Sequence, residues 1–165
     1  MTLEPLGMQH ASAVTELASN AEVAATTPLP HPYPPDGAAK FIAHARQARA
    51  QGSAYHFAIL LSKRCVGVCG LKNVDAASRS ADVGYWLGRA YWGQGITTAA
   101  IRLLLETARM DLELRTLTAH TFEHNQRSVR VLEKLGFELR RREHDAQRLG
   151  DAAGESTLLR YELTL

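Results

Sequence analysis

Cysteine is scarce in this chain, since Cys65 and Cys69 are the only two among 165 residues. They lie four positions apart in a segment that alternates like one β-strand, so we expect their side chains to point the same way, about 13 Å apart. That separation excludes a disulfide between them. We expect two small buried apolar side chains rather than a metal or redox site, in a reducing, cytoplasmic setting.

Long apolar runs and dense basic runs are also missing. No stretch is apolar enough to span a membrane, and "MTLEPLGMQHASAVTEL" lacks the basic start and apolar core of a secretion signal. The 19 basic and 17 acidic residues are mixed along the chain and give a net charge of +2. We therefore expect neither nucleic acid nor a membrane as the main partner.

The length and the 45% hydrophobic content predict one domain over residues 1–165 with a full core. Five of the six prolines fall within residues 28–35, which excludes a regular helix or central strand there. The following "GAAKFIAHARQARAQG" has helical character and ends at Gly52. We interpret the proline segment as an ordered loop that leads into this helix.

The rest of the chain alternates between strand and helix patterns. Residues 55–88 predict three antiparallel strands, and "RTLTAHTFE" a further strand. "NQRSVRVLEKLG" predicts a helix that ends at Gly136, followed by two strands in "FELRRREHDA" and "STLLRYELTL". The run "TTAAIRLLLETARMD" predicts an amphipathic helix whose apolar stripe is Ile101, Leu104, Leu105 and Ala108. This order predicts a mixed α/β sheet, partly antiparallel, with helices on its faces.

The segment "GRAYWGQGITTAA" places two glycines between a strand and a helix. A triphosphate loop needs a lysine that is missing here, and a dinucleotide loop needs a third glycine where Thr98 stands. Two interpretations remain: a plain turn capped by Thr97 or Thr98, and an anion cradle at a helix N-terminus. The donors of that cradle would be the backbone N–H groups of Gly93, Gln94, Gly95, Thr97 and Thr98.

The stretch "DVGYWLGRAYWGQGITTAA", followed some 25 residues later by "NQRSVRVLEKLGF", resembles the acetyl-coenzyme A-binding core of the GNAT N-acetyltransferases. "PHPYPPDGAAKFI" is similar to the branch with the RimJ and RimL type ribosomal-protein N-terminal acetyltransferases. The resemblance covers residues 3–140. It implies a GNAT fold: a mixed, largely antiparallel sheet, splayed between the strands at 81–87 and 115–122, with helices on both faces.

The resemblance also implies acetyl-coenzyme A as cosubstrate, without a metal. The family's pyrophosphate loop, Arg/Gln-x-x-Gly-x-Gly/Ala, would run from Trp92 through Gly95 to Thr97. Thr97 departs from it, and its methyl and hydroxyl would cause a clash or add a hydrogen bond. The backbone at Trp86 and Leu87 would hold the pantetheine arm. The remaining implied contacts are Gly93, Gln94, Thr98, Asn125, Ser128, and Arg130 or Lys134.

The catalytic roles have several candidates. By resemblance Ser128 lies near the cofactor sulfur and could protonate the leaving thiolate, although it could also bond a backbone carbonyl. Asp82 and Glu123 are the candidate bases, because a carboxylate can deprotonate an ammonium. His120 and His124 are weaker candidates that ordinary surface positions would explain. Arg127 belongs to a basic stripe with Arg130 and Lys134, for which a solvated face is an equal explanation, and Asn125 is also a good N-cap.

The function that the resemblance implies is acetyl transfer to a primary amine by direct transfer in a ternary complex. A protein N-terminus is the best-known acceptor of the branch, and small amines or aminoglycosides are alternatives. A coenzyme A-binding sensor without turnover and a nucleotide-binding domain of another kind stay open. The branch also allows a homodimer, which the sequence itself does not predict.

Overall fold

The computed structural model describes residues 1–144 and 157–165. The ends of the two last predicted strands, residues 145–146 and Ser156, lie outside the described residues. The helices of the described part are α1 (Ala11–Ala18), α2 (Ala21–Ala24), α3 (Gly37–Ala50), α4 (Ile96–Met110) and α5 (Gln126–Lys134). Its strands are β1 (Thr2–Pro5), β2 (Tyr55–Leu61), β3 (Arg64–Asp75), β4 (Ser80–Leu87), β5 (Thr116–Phe122), β6 (Glu138–His144) and β7 (Thr157–Thr164).

The strands form one sheet in the order β1-β2-β3-β4-β5-β7-β6. Only the β4–β5 pair is parallel among the described pairs, and the others are antiparallel. The parallel pair follows from the connection, because α4 carries the chain back along the sheet between the two strands. The predicted mixed sheet and the predicted three-strand meander, which is β2 to β4, are both confirmed.

The larger core cluster packs α4 and α5 against one face of the sheet. The predicted apolar stripe of α4 lies in it: Ile101, Leu104 and Ala108 are fully buried and Leu105 is partly buried. The alternating large residues of β2 face the same cluster, including Phe57 and Ile59. This face therefore matches the sequence pattern residue by residue.

The opposite face carries a smaller core built by α1 and α3. Val14 and Ile42 are fully buried there and pack with Ala58 and Val68 of the sheet. This cluster covers the β1–β3 side of the sheet and reaches Trp86 at the end of β4. The described helices thus cover both faces, as predicted.

The short helix α2 was not predicted. The side chain of Asn20 caps it by accepting hydrogen bonds from the backbone N–H groups of Glu22 and Val23, at 2.9 and 3.2 Å. Val23 is fully buried. Because one turn is too short for a hydrophobic period, the sequence shows only its cap.

No helix among the described residues is long and apolar enough to cross a membrane.

The expectation that Cys65 and Cys69 share one side of a strand is wrong. The pairing of β3 with β2 shifts by one residue, because Ile59 faces Gly67 while Leu60 faces Cys65. A one-residue bulge sends the following side chains to the other face. Cys65 accordingly packs against the smaller core and Cys69 lies in the larger one. Burial raises the pKa of the Cys69 thiol to about 12, which fits the expected apolar role.

Replacing Leu104 with alanine should lower the free energy of unfolding by about 3 kcal/mol, since a fully buried leucine leaves a cavity in the core. The matched control on the same helix is Met110→Ala, whose side chain is 74% exposed. The control should stay within about 0.5 kcal/mol of the parent. Urea unfolding followed by circular dichroism measures both, and equal losses would contradict the assignment of the α4 core face.

Candidate active site

The parallel pair at the centre of the sheet is incomplete. β4 and β5 pair from Ser80 with Thr116 to Val83 with Ala119. Beyond this point β4 stays paired with β3 only, and β5 with β7 only. The sheet therefore splays open between residues 84–87 and 120–122, where the resemblance placed the gap. The predicted splay is confirmed.

A cavity of about 760 Å³ lies at this gap. It contains residues from both faces of the sheet: Tyr85 packs against the core of α4 and α5, whereas Trp86 packs against the core of α1 and α3. The cavity therefore connects the two faces through the splay. The predicted site residues that line it are Trp86, Leu87, Trp92, Gly93, Gly95, Thr97, Thr98, Asn125, Ser128 and Arg130.

The glycine loop forms one wall of the cavity, where α4 begins. Gly93 and Gly95 have φ angles of +75° and +76°, a conformation that glycine adopts without strain. Gly95 is the N-cap of α4 and supplies no side-chain cap. The first-turn N–H groups thus have no capping side chain and carry the positive end of the helix dipole. A Cβ atom built on either glycine meets no heavy atom within 4 Å, so the loop leaves open space beside the cavity.

Trp92 is fixed at the start of this loop. Its indole Nε1 donates to the carbonyl oxygen of Leu87 at 2.9 Å. The Arg127 guanidinium lies 3.9 Å from the ring centroid, and that of Arg89 lies at 4.9 Å. These cation–π contacts hold the ring between β4 and α5. Gln94 instead donates to the carbonyl of Ala90 and is not among the lining residues.

Two hydroxyl groups meet at the splay. Tyr85 of β4 and Ser128 of α5 share a hydrogen bond of 2.8 Å between Oη and Oγ, and both line the cavity. Burial raises the pKa of Tyr85 to about 12, against a smaller lowering by the Ser128 hydrogen bond, so the phenol keeps its proton at neutral pH. The sequence pattern does not mark Tyr85 as a site residue, because its alternation with core residues of β4 indicates only packing.

Asn125 joins α5 to the loop after α2. Its Oδ1 accepts from the backbone N–H of Ser128 at 3.3 Å, which is the N-cap contact, and its Nδ2 donates to the Thr26 carbonyl at 3.4 Å. Because Asn125 also lines the cavity, the cap and a place at the site hold together. The cap fixes Ser128 at the gap.

The two predicted carboxylate bases lie outside this cavity. Asp82 accepts from Thr118 and, at 2.7 Å, from Asn73. It lines an adjoining groove of about 400 Å³, which shares His120 and Arg160 with the cavity. Glu123 forms an ion pair with Arg142. No Asp or Glu is among the described residues that line the larger cavity, so the structure does not bring the proposed bases to the gap.

The basic stripe of α5 divides between cavity and surface. Arg127 and Arg130 line the cavity. Arg130 is fixed by a hydrogen bond of 3.1 Å from its Nε to the carbonyl of Gln126. Lys134, at the far end of the helix, does not line it. His124 is also outside and stacks on Phe122 at 5.3 Å between ring centroids.

Basic side chains line the cavity on the α3 face of the sheet. Alternation along β3, β5 and β7 places Lys72, His120 and Arg160 on this face, beside His56 of β2. Arg160 and the Nε2 atom of His120 lie 2.6 Å apart. Burial lowers the pKa of His120, and Arg160 lowers it further.

His56 is held neutral in this cluster. Burial lowers its pKa to about 4, and the charge of Lys72 lowers it further. Its Nδ1 atom is buried and has no hydrogen-bond partner among the described residues. The ring packs edge-on against Phe41 at 5.2 Å. Both cavity histidines are therefore uncharged at neutral pH.

Comparison with known proteins gives a family match. A family model described as "Acetyltransferase (GNAT) domain" matches residues 1–138. The ribosomal-protein-serine acetyltransferase of Escherichia coli is 29% identical over 108 residues, which are 66% of this chain and 60% of that enzyme. Across the curated relatives, the matches span between 39% and 60% of their lengths.

Two solved structures show the same fold. Mycobacterium smegmatis RimJ in complex with a CoA-disulfide has a TM-score of 0.87 and 25% identity, covering 98% of this chain and 80% of that one. A spermidine N-acetyltransferase from Vibrio cholerae, solved with CoA and spermine, has a TM-score of 0.82 and 17% identity. That match covers 99% of this chain and 94% of the other.

Lys72→Gln should raise the pKa of His56 from about 4, because a nearby positive charge disfavours the imidazolium. The pKa should stay below 6.5, since burial is the larger cause. The control Lys40→Gln removes an exposed ammonium on α3 and should leave the pKa of His56 unchanged. NMR titration of the imidazole protons measures it, and no difference between the variants would place Lys72 away from His56.

The lowered pKa also sets a pH dependence of stability. The unfolded chain protonates this histidine near pH 6.5 while the folded chain does not, so the free energy of unfolding should decrease as pH falls from about 6.5 towards 4. Chemical unfolding at several pH values, with His56→Gln as the comparison, measures this contribution.

Proposed function

The chain belongs to the GNAT acetyltransferase family, and we propose that it transfers an acetyl group from acetyl-coenzyme A to a primary amine in a ternary complex. The observation that carries this proposal is the cavity through the splayed sheet. The cavity extends from the N-terminus of α4, which has no side-chain cap, on one face of the sheet to the residues that line it on the α3 face. Two substrates entering from opposite faces would meet at Tyr85, Trp86 and Ser128.

The residues around the α4 N-terminus fit the cosubstrate. Backbone N–H groups with a helix dipole bind phosphate oxygens, and the open space at Gly93 and Gly95 admits a bulky anion. Arg127 and Arg130 add positive charge on the neighbouring helix. Thr97 lines the cavity, so the departure from the family pattern falls where the phosphates would lie. We propose that its hydroxyl adds a hydrogen bond there.

Proton transfer is assigned to the hydroxyl pair at the gap. Bound acetyl-coenzyme A supplies an acetyl thioester: the amine nitrogen bonds to the acetyl carbon, the carbon–sulfur bond breaks, the amine loses a proton and the sulfur gains one. Ser128 would give this proton to the sulfur and take up the proton that the amine loses, so that its hydroxyl is restored at the end of the step. Tyr85, which keeps its own proton, bonds Ser128 at 2.8 Å and orients it.

The amine has no carboxylate base at the gap, since none of the described lining residues is Asp or Glu. We therefore propose that the acceptor reacts as the free amine taken from solution. A protein N-terminal amine has a pKa of about 7.7–8.0 and is partly neutral near pH 7.5. A lysine amine, with a pKa of about 10.4, would be almost fully protonated. This difference supports a protein N-terminus or another α-amine as the acceptor.

The relatives leave the acceptor class open. One curated relative is named as acting on a ribosomal protein serine, and one structural neighbour as acting on spermidine. Thiol release from acetyl-coenzyme A, followed with α-amine peptides, spermidine and an aminoglycoside, tests the proposed function. Release with an α-amine supports it. No release with any amine, despite cofactor binding in a thermal shift assay, would instead favour a sensor without turnover.

Gly95→Ala should weaken acetyl-coenzyme A binding strongly, and Gly95→Val should abolish it, because the added side chain fills the space left for the phosphates. Gly136→Ala is the matched control, since Gly136 has a φ of +88° but does not line the cavity. Both alanine variants should lose about 1–2 kcal/mol of stability through backbone strain. Isothermal calorimetry separates the two effects, and equal affinities would exclude the cradle.

Ser128→Ala should lower kcat by about 100-fold, the low end for loss of a general acid, with little change in affinity for acetyl-coenzyme A. Tyr85→Phe removes one hydroxyl and should cause a smaller loss. Ser12→Ala, on the exposed side of α1, is the control and should behave as the parent. Thiol-release kinetics give kcat, and an unchanged kcat in Ser128→Ala would remove this serine from the proton-transfer role.

A further inference from the structure

We propose that the acetyl acceptor is a primary amine that also carries a carboxylate, and that Lys72, supported by Arg160, binds this carboxylate on the α3 face of the sheet. The inference rests on the proposed acetyl transfer and names the substrate class that its acceptor side favours. It excludes polyamines as preferred acceptors.

Among the described residues, the cavity lining on this face is basic, and Asp82 and Glu162 line the adjoining groove that shares His120 and Arg160 with it. The ionisable residues of the cavity lining on this face are His56, Lys72, His120 and Arg160, and the described lining residues include no carboxylate. The histidines are neutral at neutral pH because their pKa values are lowered, which leaves two cations. A second ammonium group on the acceptor would meet repulsion here, whereas a carboxylate would find a partner.

Lys72 is placed over the gap by a neighbouring glycine. A Cβ atom built on Gly84 would lie 3.2 Å from Cε and 3.4 Å from Nζ of Lys72. Gly84 is the first residue of β4 beyond its pairing with β5. The Lys72 stem thus lies over Gly84, in the space that a side chain at this position would fill. Its ammonium lies at the start of the splay.

The carboxylate that lies opposite Lys72 in the sheet, that of Asp82, bonds other side chains. Asp82 faces Lys72 across the β3–β4 ladder, but its two carboxylate oxygens accept from Thr118 and Asn73. Within residues 1–144 and 157–165, no carboxylate oxygen lies within 4.0 Å of the Lys72 ammonium. Its charge is therefore available to a ligand.

Arg160 has a secondary role in the proposed carboxylate site. Its Nε pairs with Glu143 at 2.9 Å and another guanidinium nitrogen contacts His120 at 2.6 Å. Glu143 offsets much of its charge, and the two contacts fix the guanidinium at the cavity wall. We therefore assign the main contact to Lys72 and a positioning contact to Arg160.

The test compares kcat/KM for acceptors that differ only in charge. Three peptides share an N-terminal alanine and carry Asp, Asn or Lys at the second position. Alanine and alaninamide form a second pair, and spermidine is the cationic reference. We expect about a tenfold preference for Asp over Lys, the size of one charged hydrogen bond. A preference for free alanine over alaninamide would assign the carboxylate to an amino acid rather than to a peptide side chain.

Variants of Lys72 assign the preference to its charge. Lys72→Gln should abolish it, Lys72→Glu should reverse it, and Lys72→Arg should retain it. Lys40→Gln removes an ammonium that is 77% exposed on α3 and should keep the parent's preference. The thermal shift with acetyl-coenzyme A should stay unchanged in every variant, which verifies folding and cofactor binding.

The outcomes separate the two proposals. Equal kcat/KM within both pairs, the Asp and Lys peptides and alanine and alaninamide, or a preference that survives Lys72→Glu, overturns the carboxylate site and leaves acetyl transfer standing. A faster reaction with spermidine than with any carboxylate-bearing amine does the same. Absence of turnover with every amine overturns both proposals together.

Discussion

The partial pairing of β4 with β5 is the constraint on which the rest of the site depends. Parallel neighbours point their carboxyl ends towards the same edge, and each of these two strands is followed by a helix. Because the ladder stops at Val83 and Ala119, the N-termini of α4 and α5 both face an opening in the sheet. A fully paired sheet would bury the same helix ends against a closed surface, with no route to the other face.

The opening places two different environments in one cavity. On the α4 and α5 side, an uncapped helix end and the guanidinium groups of Arg127 and Arg130 suit a polyanion. On the α3 side, the described lining includes the rings of Phe41 and Trp86, two neutral histidines, and the Lys72 ammonium, which no described carboxylate pairs. The strand backbone separates the two environments except at the gap, so each substrate would contact its own set of residues.

How much the sequence predicts depends on whether a feature is local. The glycine loop and the Asn125 cap are local features. A positive φ favours glycine and an N-cap favours asparagine, so the residue type alone indicates each of them. Tyr85 escaped prediction because its partner, Ser128, is 43 positions away and belongs to another element. The cysteines show the same limit: a single bulge in the β2–β3 ladder reverses the side that a strand pattern predicts. Asp82 and Glu123 lie outside the cavity and pair with Thr118 and Arg142 of other strands, contacts that a local sequence pattern does not predict.

The proton balance of the cavity connects its two sides. A phenol with a pKa near 12 stays protonated, and the histidines with lowered pKa values do not hold a proton near neutral pH. The described lining residues thus offer a proton donor at the α5 side and only weak acceptors on the other. A site of this kind suits an amine that arrives already neutral, which favours α-amines over strongly basic ones. The charge of Lys72 then acts on the carboxylate of the acceptor. The acceptor is thus bound through its carboxylate and selected as a nucleophile through the pKa of its amine.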